Sequence, residues 1–132
     1  MKPKIKRQWV DALRSGEYEQ GARGTLKSES GYCCLGVLCD LAVKSGEIDD
    51  LIWRKGNPGS PDGLWAIEKI NDSSTLVPIP AVVEWAGMDD ENPVVKFGTA
   101  RLSVAELNDG LDHAGIDRQP FSVLADIIES QL

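Results

Sequence analysis

Cys33 and Cys34 have the most direct claim to covalent chemistry in this chain. They lie in Gly31-Tyr32-Cys33-Cys34-Leu35-Gly36-Val37-Leu38-Cys39-Asp40-Leu41-Ala42-Val43. A thiol at the start of a helix is favoured as a thiolate by the free N–H groups there. A nucleophilic cysteine also needs a base within reach and a group that orients that base. The one histidine, His113, is the only candidate base, and it stands among Asp109 and Asp112 at an acidic helix end with no strand signal around it. Cys33, Cys34 and His113 thus define an enzyme alternative, a cysteine-nucleophile hydrolase. The apolar neighbours of both thiols argue against it, because such surroundings raise a thiol pKa. Zinc would draw on Cys33, Cys34, Cys39 and His113, but adjacent residues project about 100° apart on a helix and no C-x-x-C knuckle is present. No metal and no cofactor is expected.

Two further sets can bind without reacting. Within and after the irregular segment 47–63, Trp53 and Trp65 flank the loop 55–63, with Arg54 and Lys55 beside them. Indole faces and cations at a loop suit an anionic or aromatic ligand, nucleotide-like in kind. Glu84, Asp89, Asp90, Glu91, Asp109 and Asp112 form an acidic set suited to a basic protein partner. Asp89 to Pro93 lacks the alternating ligands and turn glycine of a calcium loop. Asp40 is the one acidic or basic side chain other than the thiols between Cys33 and Val43. An unpaired buried carboxylate is too costly to persist, so an ion pair is expected, with Arg14 or Arg101 as its partner.

The elements that must position these groups follow from spacing. Ile5, Trp9 and Leu13 recur at four-residue steps, which predicts an amphipathic helix from about Pro3 to Ser15, closed by Gly16. Gly21, Gly24 and Gly31 suggest a short hairpin. The cysteine segment, apolar on all sides, predicts a buried central helix over about 32–44, with Gly46 as its stop. Gly36 inside it implies a close backbone crossing. Trp65–Ile70 and Ser74–Val77 read as strands, Pro80 to Ala86 as a helix closed by Gly87, and Val94–Phe97 as a strand. Ser103 and Glu106 form a capping box that opens a helix through Val104, Leu107 and Leu111, with Gly115 as terminator. Phe121, Leu124, Ala125 and Ile128 trace a last helix after Pro120.

The totals bound the class. The 132 residues carry 42% hydrophobic and 27% charged side chains, the proportions of one globular domain. Residues 1–30 have a local charge of +3, residues 84–132 one of −7, and the whole chain −7. That balance argues against a general nucleic-acid binder. No apolar run is long enough for a membrane span, and the basic N-terminus is not followed by a signal-peptide core. There is no phosphate loop, no G-x-G-x-x-G and no zincin helix.

Several segments together resemble one family. Trp9-x-x-Ala12-Leu13-Arg14-Ser15-Gly16-x-Tyr18-x-Gln20-Gly21 and Tyr32-Cys33-Cys34-Leu35-Gly36-Val37-Leu38-Cys39-Asp40-Leu41 carry the likeness, with Pro80 through Gly87, Leu107-Asn108-Asp109 and Phe121 through Glu129. The pattern is similar to that of a family of small proteins of tailed phages and prophages. It implies an origin and no activity. Gly110 to Gln119 is longer here than the pattern, and His113 lies inside that extra piece.

The expectation is therefore a single α+β domain, mainly helical, with a central buried helix and a small antiparallel sheet. Its expected role is that of a phage-encoded, non-enzymatic accessory protein in the cytoplasm of an infected or lysogenic bacterial host. It would bind a host protein or a small signalling molecule, in a way suited to counteracting host defence.

Overall fold

The computed structural model describes residues 1–21, 23–56 and 64–132. Helix α1 (Pro3–Arg14) begins with a proline in its first turn, where the missing N–H costs nothing, and buries Ile5, Trp9, Val10 and Leu13. It lies against α5 (Phe121–Gln131), which buries Phe121, Leu124, Ala125 and Ile128. Helix α1 also rests on α2 (Cys34–Ser45), the centre of the molecule. Every residue from Cys33 to Asp40 is buried, as the all-round apolar sequence required. Gly46, at φ 68°, ends the helix in the left-handed conformation.

The start of α2 differs from the expected Tyr32. Cys33 is the extended N-cap and its Sγ accepts from Gly36 N at 3.3 Å, while Tyr32 belongs to a strand. Gly36 meets the crossing its position implied: a Cβ there would lie 1.8 Å from the Leu26 carbonyl oxygen. Leu26 itself is strapped down, donating to Thr75 O at 2.8 Å and accepting from Cys33 N at 3.0 Å.

The mixed sequence between the helices forms an antiparallel sheet. Strands β1 (Lys27–Ser28), β2 (Gly31–Tyr32), β3 (Ile52–Lys55) and β4 (Trp65–Lys69) lie in the order β2-β1-β4-β3. β5 (Asp72–Ser74) also pairs with β4. β3 lies where irregular chain was expected, and β5 is shorter and earlier than Ser74–Val77. Ser74 Oγ accepts from Leu76 N and Val77 N, which turns the chain out of the ladder.

α3 (Pro80–Ala86) ends at Gly87 as its sequence indicates, and Ala86 O accepts from Lys2 N at 2.9 Å. β6 (Val94–Phe97) and β7 (Ala100–Ser103) make a separate hairpin. Ser103 Oγ then caps α4 (Val104–Asp109) through Glu106 N at 3.1 Å. α4 stops at Gly110 and not at Gly115, because Leu111 leaves the helix to bridge Ile116. Asp112–Ala114 form a separate 3₁₀ turn.

Candidate functional site

The buried carboxylate of Asp40 gathers polar side chains from three segments of the chain. Asp40 sits on α2 with a side chain 8% exposed. Trp53 Nε1, from β3, donates to Oδ1 at 3.0 Å, and Tyr18 OH donates to Oδ2 at 2.6 Å. Lys44, one helical turn on, completes the ion pair at 3.1 Å and also donates to Tyr18 OH at 3.1 Å. Burial and the neighbouring carboxylate push the Tyr18 phenol up to about 12, and its hydrogen bonds to Tyr18 and Asp40 raise the Lys44 ammonium. The arrangement satisfies every polar atom and fixes the Trp53 indole.

Asp40 is thus an ion-paired helix residue as expected, but with neither expected arginine. Arg14 projects from α1 toward α5 and pairs with Asp126 at 2.6 Å and Glu129 at 2.5 Å. Arg101 is exposed on β7, opposite Lys96. The side of α2 that carries Asp40 is covered by Tyr18 and Trp53, so the partner must come from α2 itself.

Beside this hub the strand register builds a row. Lys27 pairs with Tyr32 on one side and Trp65 on the other, and Trp65 pairs with Lys55. Directly opposed residues share a face, so Tyr32, Lys27, Trp65 and Lys55 cross the sheet as alternating ring and cation, one strand spacing of about 4.8 Å apart. Trp53, two residues before Lys55, shares that face. The Lys27 ammonium lies 4.3 Å from the Trp65 ring centre, 5.2 Å from Trp53 and 5.3 Å from Tyr32. Among the described residues no carboxylate comes within ion-pair distance of it. Tyr32 meets Tyr18 and Trp53 edge-to-face, at 5.1 and 6.3 Å.

The expected ligand set of Trp53, Arg54, Lys55 and Trp65 is therefore brought together only in part. Trp53, Trp65 and Lys55 share one face. Arg54 points from the opposite face, where it pairs with Glu68 across the β3–β4 ladder. Lys55 Nζ lies 6.0 Å from the Trp65 ring and 3.5 Å from Glu29. Part of the expected loop, residues 57–63, lies outside the described residues. Lys27, Tyr32 and Tyr18 were not foreseen. Their membership depends on cross-strand pairing, and the one local signal was the glycine-flanked hairpin that places Lys27 opposite Tyr32.

The hydrolase set does not assemble. Burial pushes the Cys33 thiol up to about 11, and the fully buried Cys34 and Cys39 are held well above their ordinary range by the same cause. Neither Cys33 nor Cys34 has a histidine hydrogen bond, and His113 is exposed on the 3₁₀ turn. The side chain that does reach the cysteine pair is Asn108. Its Oδ1 accepts from Cys34 N and from Gln20 Nε2, both at 3.1 Å, and its Nδ2 donates to Asp109 at 3.0 Å. Arg118 donates to the carbonyls of Asn108 and Gly21. This buried junction joins α2, α4 and the chain before β1, which is a structural task. Among the described residues no group of three or more His, Cys, Asp or Glu is placed to hold a metal.

The acidic set divides. Glu84, Asp89, Asp90 and Glu91 line one groove of about 610 Å³ with Pro80, Val83 and Met88. Asp109 and Asp112 lie elsewhere and are engaged internally, Asp109 with Gly24 N at 3.0 Å and Asp112 with Arg23 at 3.3 Å. No described helix is long and apolar enough to cross a membrane.

The fold is that of a single α+β domain, with an aromatic–cation face on its sheet and three buried thiols. By sequence the chain belongs to the family described as a domain of unknown function, DUF8296, whose model matches residues 1–132. No characterised protein and no solved structure matches it significantly.

Proposed function

We propose that the protein is a non-enzymatic accessory protein, phage-encoded and cytoplasmic in an infected or lysogenic bacterial host. It captures a small anionic host molecule that carries a planar group. The observation that supports this reading is the Lys27 ammonium held among Tyr32, Trp53 and Trp65, with no carboxylate of the described residues to neutralise it. Rings stabilise the cation through their faces but cancel none of its charge. An anion that reaches the ammonium therefore meets a full positive charge, and a planar group attached to that anion meets an indole already fixed by Asp40. Because Trp53 is held in place, little side-chain freedom is lost on binding. Sequestering a signalling molecule in this way suits counter-defence. A panel of nucleotides and anionic metabolites, followed by tryptophan emission and melting temperature, tests the reading. A specific ligand should change both; silence across the panel would sink it.

A second reading, capture of a host protein, is favoured by the groove of Glu84, Asp89, Asp90 and Glu91. These carboxylates have no ion-pair partner among the described residues, and Val83 and Met88 give the groove an apolar floor. A basic segment with one apolar anchor fits that chemistry. If it docks there, the double variant Glu84→Lys, Asp90→Lys loses a host protein that the native chain retains in a pull-down, while a Lys27 variant keeps it.

A further inference from the structure

We infer that the ring–cation row across the sheet is a two-point site for a dinucleotide, with Lys27 as its principal phosphate contact. The inference rests on the small-anion reading above and names the ligand class.

The row alternates Tyr32, Lys27, Trp65 and Lys55 through successive cross-strand pairs. Two like groups in it are therefore two strand spacings apart, about 10 Å. A strand of nucleic acid offers the complementary alternation, a base face followed by a phosphate. Sheet surfaces that bind single strands use this pairing of stacking rings with cations between them. One nucleotide would occupy half of the row, one ring and one lysine. Two nucleotides use both lysines and two ring platforms.

The cations are not equivalent. Arg54 lies on the other face and is held by Glu68. Lys55 is shared with Glu29 at 3.5 Å, an exposed pair that a phosphate can compete with. Lys27 has no carboxylate partner among the described residues, and its ammonium lies 4.3–5.3 Å from the centres of three rings. Among the described residues it is the contact with no ion pair to break first.

The net charge sets the length of the ligand. The chain carries −7, and the residues beyond the row include the acidic segment 84–132. A polymer that continued past the row would bring further phosphates to a negative molecule, so affinity should stop rising after the second nucleotide.

The test is a set of tryptophan-emission titrations of the full chain with four probes. They are a thymidine dinucleotide bearing a 5′ phosphate, thymidine monophosphate, inorganic pyrophosphate and a ten-nucleotide thymidine strand. The dinucleotide should bind at least tenfold more tightly than the monophosphate and pyrophosphate, and the ten-nucleotide strand no more than about threefold more tightly than the dinucleotide. Lys27→Met keeps the aliphatic stem among the rings and should weaken dinucleotide binding at least tenfold. Lys55→Gln, on an exposed side chain, should weaken it about threefold. Equal binding of monophosphate and dinucleotide would overturn the two-point site and leave the small-anion reading standing. No binding of any probe to the native chain would overturn the dinucleotide site, and silence across the wider panel of nucleotides and anionic metabolites would overturn the small-anion reading with it. Affinity that climbs steadily with strand length would replace the dinucleotide with a polymeric ligand. Undiminished binding by a folded Lys27→Met, or by Lys55→Gln if the first variant fails to fold, would overturn the assignment of the row.

Discussion

The indole N–H of Trp53 donates to the Asp40 carboxylate at 3.0 Å, which ties the edge strand β3 to the central helix α2. The hydrogen bond explains two irregularities together. A carboxylate can stay in the most apolar helix of the chain because Trp53, Tyr18 and Lys44 compensate it, and an aromatic at a strand edge can hold one orientation because the carboxylate is buried.

Removing the carboxylate should therefore cost more than removing a surface charge. Asp40→Ala leaves the Tyr18 hydroxyl and the Trp53 N–H without their acceptor, and the expected loss is about 2–3 kcal/mol in urea unfolding. Time-resolved anisotropy should show a looser indole. Arg14→Ala breaks two ion pairs, yet Arg14 is 38% exposed and Asp126 72%. Its expected loss stays within about 1 kcal/mol. A larger loss for Arg14→Ala than for Asp40→Ala would overturn this ranking.

Gly36→Ala tests the crossing of α2 by Leu26. On propensity alone the substitution should stabilise a helix interior by about 1 kcal/mol. The Leu26 carbonyl oxygen, 1.8 Å from the new Cβ, is backbone held by Cys33 and Thr75 and has no room to withdraw. The clash should win by at least about 3 kcal/mol, or prevent folding. A rise in melting temperature would show that the two segments can separate.

The contrast between Gly36 and Lys27 shows what the chain discloses locally. Gly36 stands in an apolar helical run where glycine has no local use, so a close approach was legible from position alone. The same holds for Pro80 and Gly87 around α3, and for Ser103 at the start of α4. Asp40 declared that it needed compensation but not by whom, since Tyr18 and Trp53 reach it through folds of the chain that leave no periodic trace. Lys27 declared nothing. Its place between Tyr32 and Trp65 exists only once β1 lies between β2 and β4, and two-residue strands have no alternation to read. Strand β3 was hidden similarly, because Trp53-Arg54-Lys55 resembles loop chemistry until Trp65 pairs with Lys55.

The thiols should be inert in the native protein. With Cys33 held near 11, its thiolate is about one part in ten thousand at neutral pH, and Cys34 and Cys39 are fully enclosed. Iodoacetamide at pH 7 is expected to leave all three cysteines unmodified over hours, and to label all three in denaturant. Rapid labelling of Cys33 in the folded chain would reopen the hydrolase alternative.

Alkaline stability supplies the sign of the Tyr18 contact. The phenol ionises near 10.0 in an unfolded chain and near 12 in the folded one, so folding holds its proton. A raised folded pKa gives stability that is complete below the unfolded value and lost as pH rises through the folded value. The Tyr18 contribution should thus be intact below about pH 10 and disappear by about pH 12. The thiols act in the same direction from their ordinary value of 9.0 upward, and Lys44 from 10.5. Melting temperature should accordingly fall from pH 9 to 12. Tyr18→Phe should melt lower at pH 8, having lost its donation to Asp40, and show a shallower decline between pH 10 and 12. Parallel curves for the two proteins across that interval would mean that the phenol ionises as freely in the folded chain as in the unfolded one.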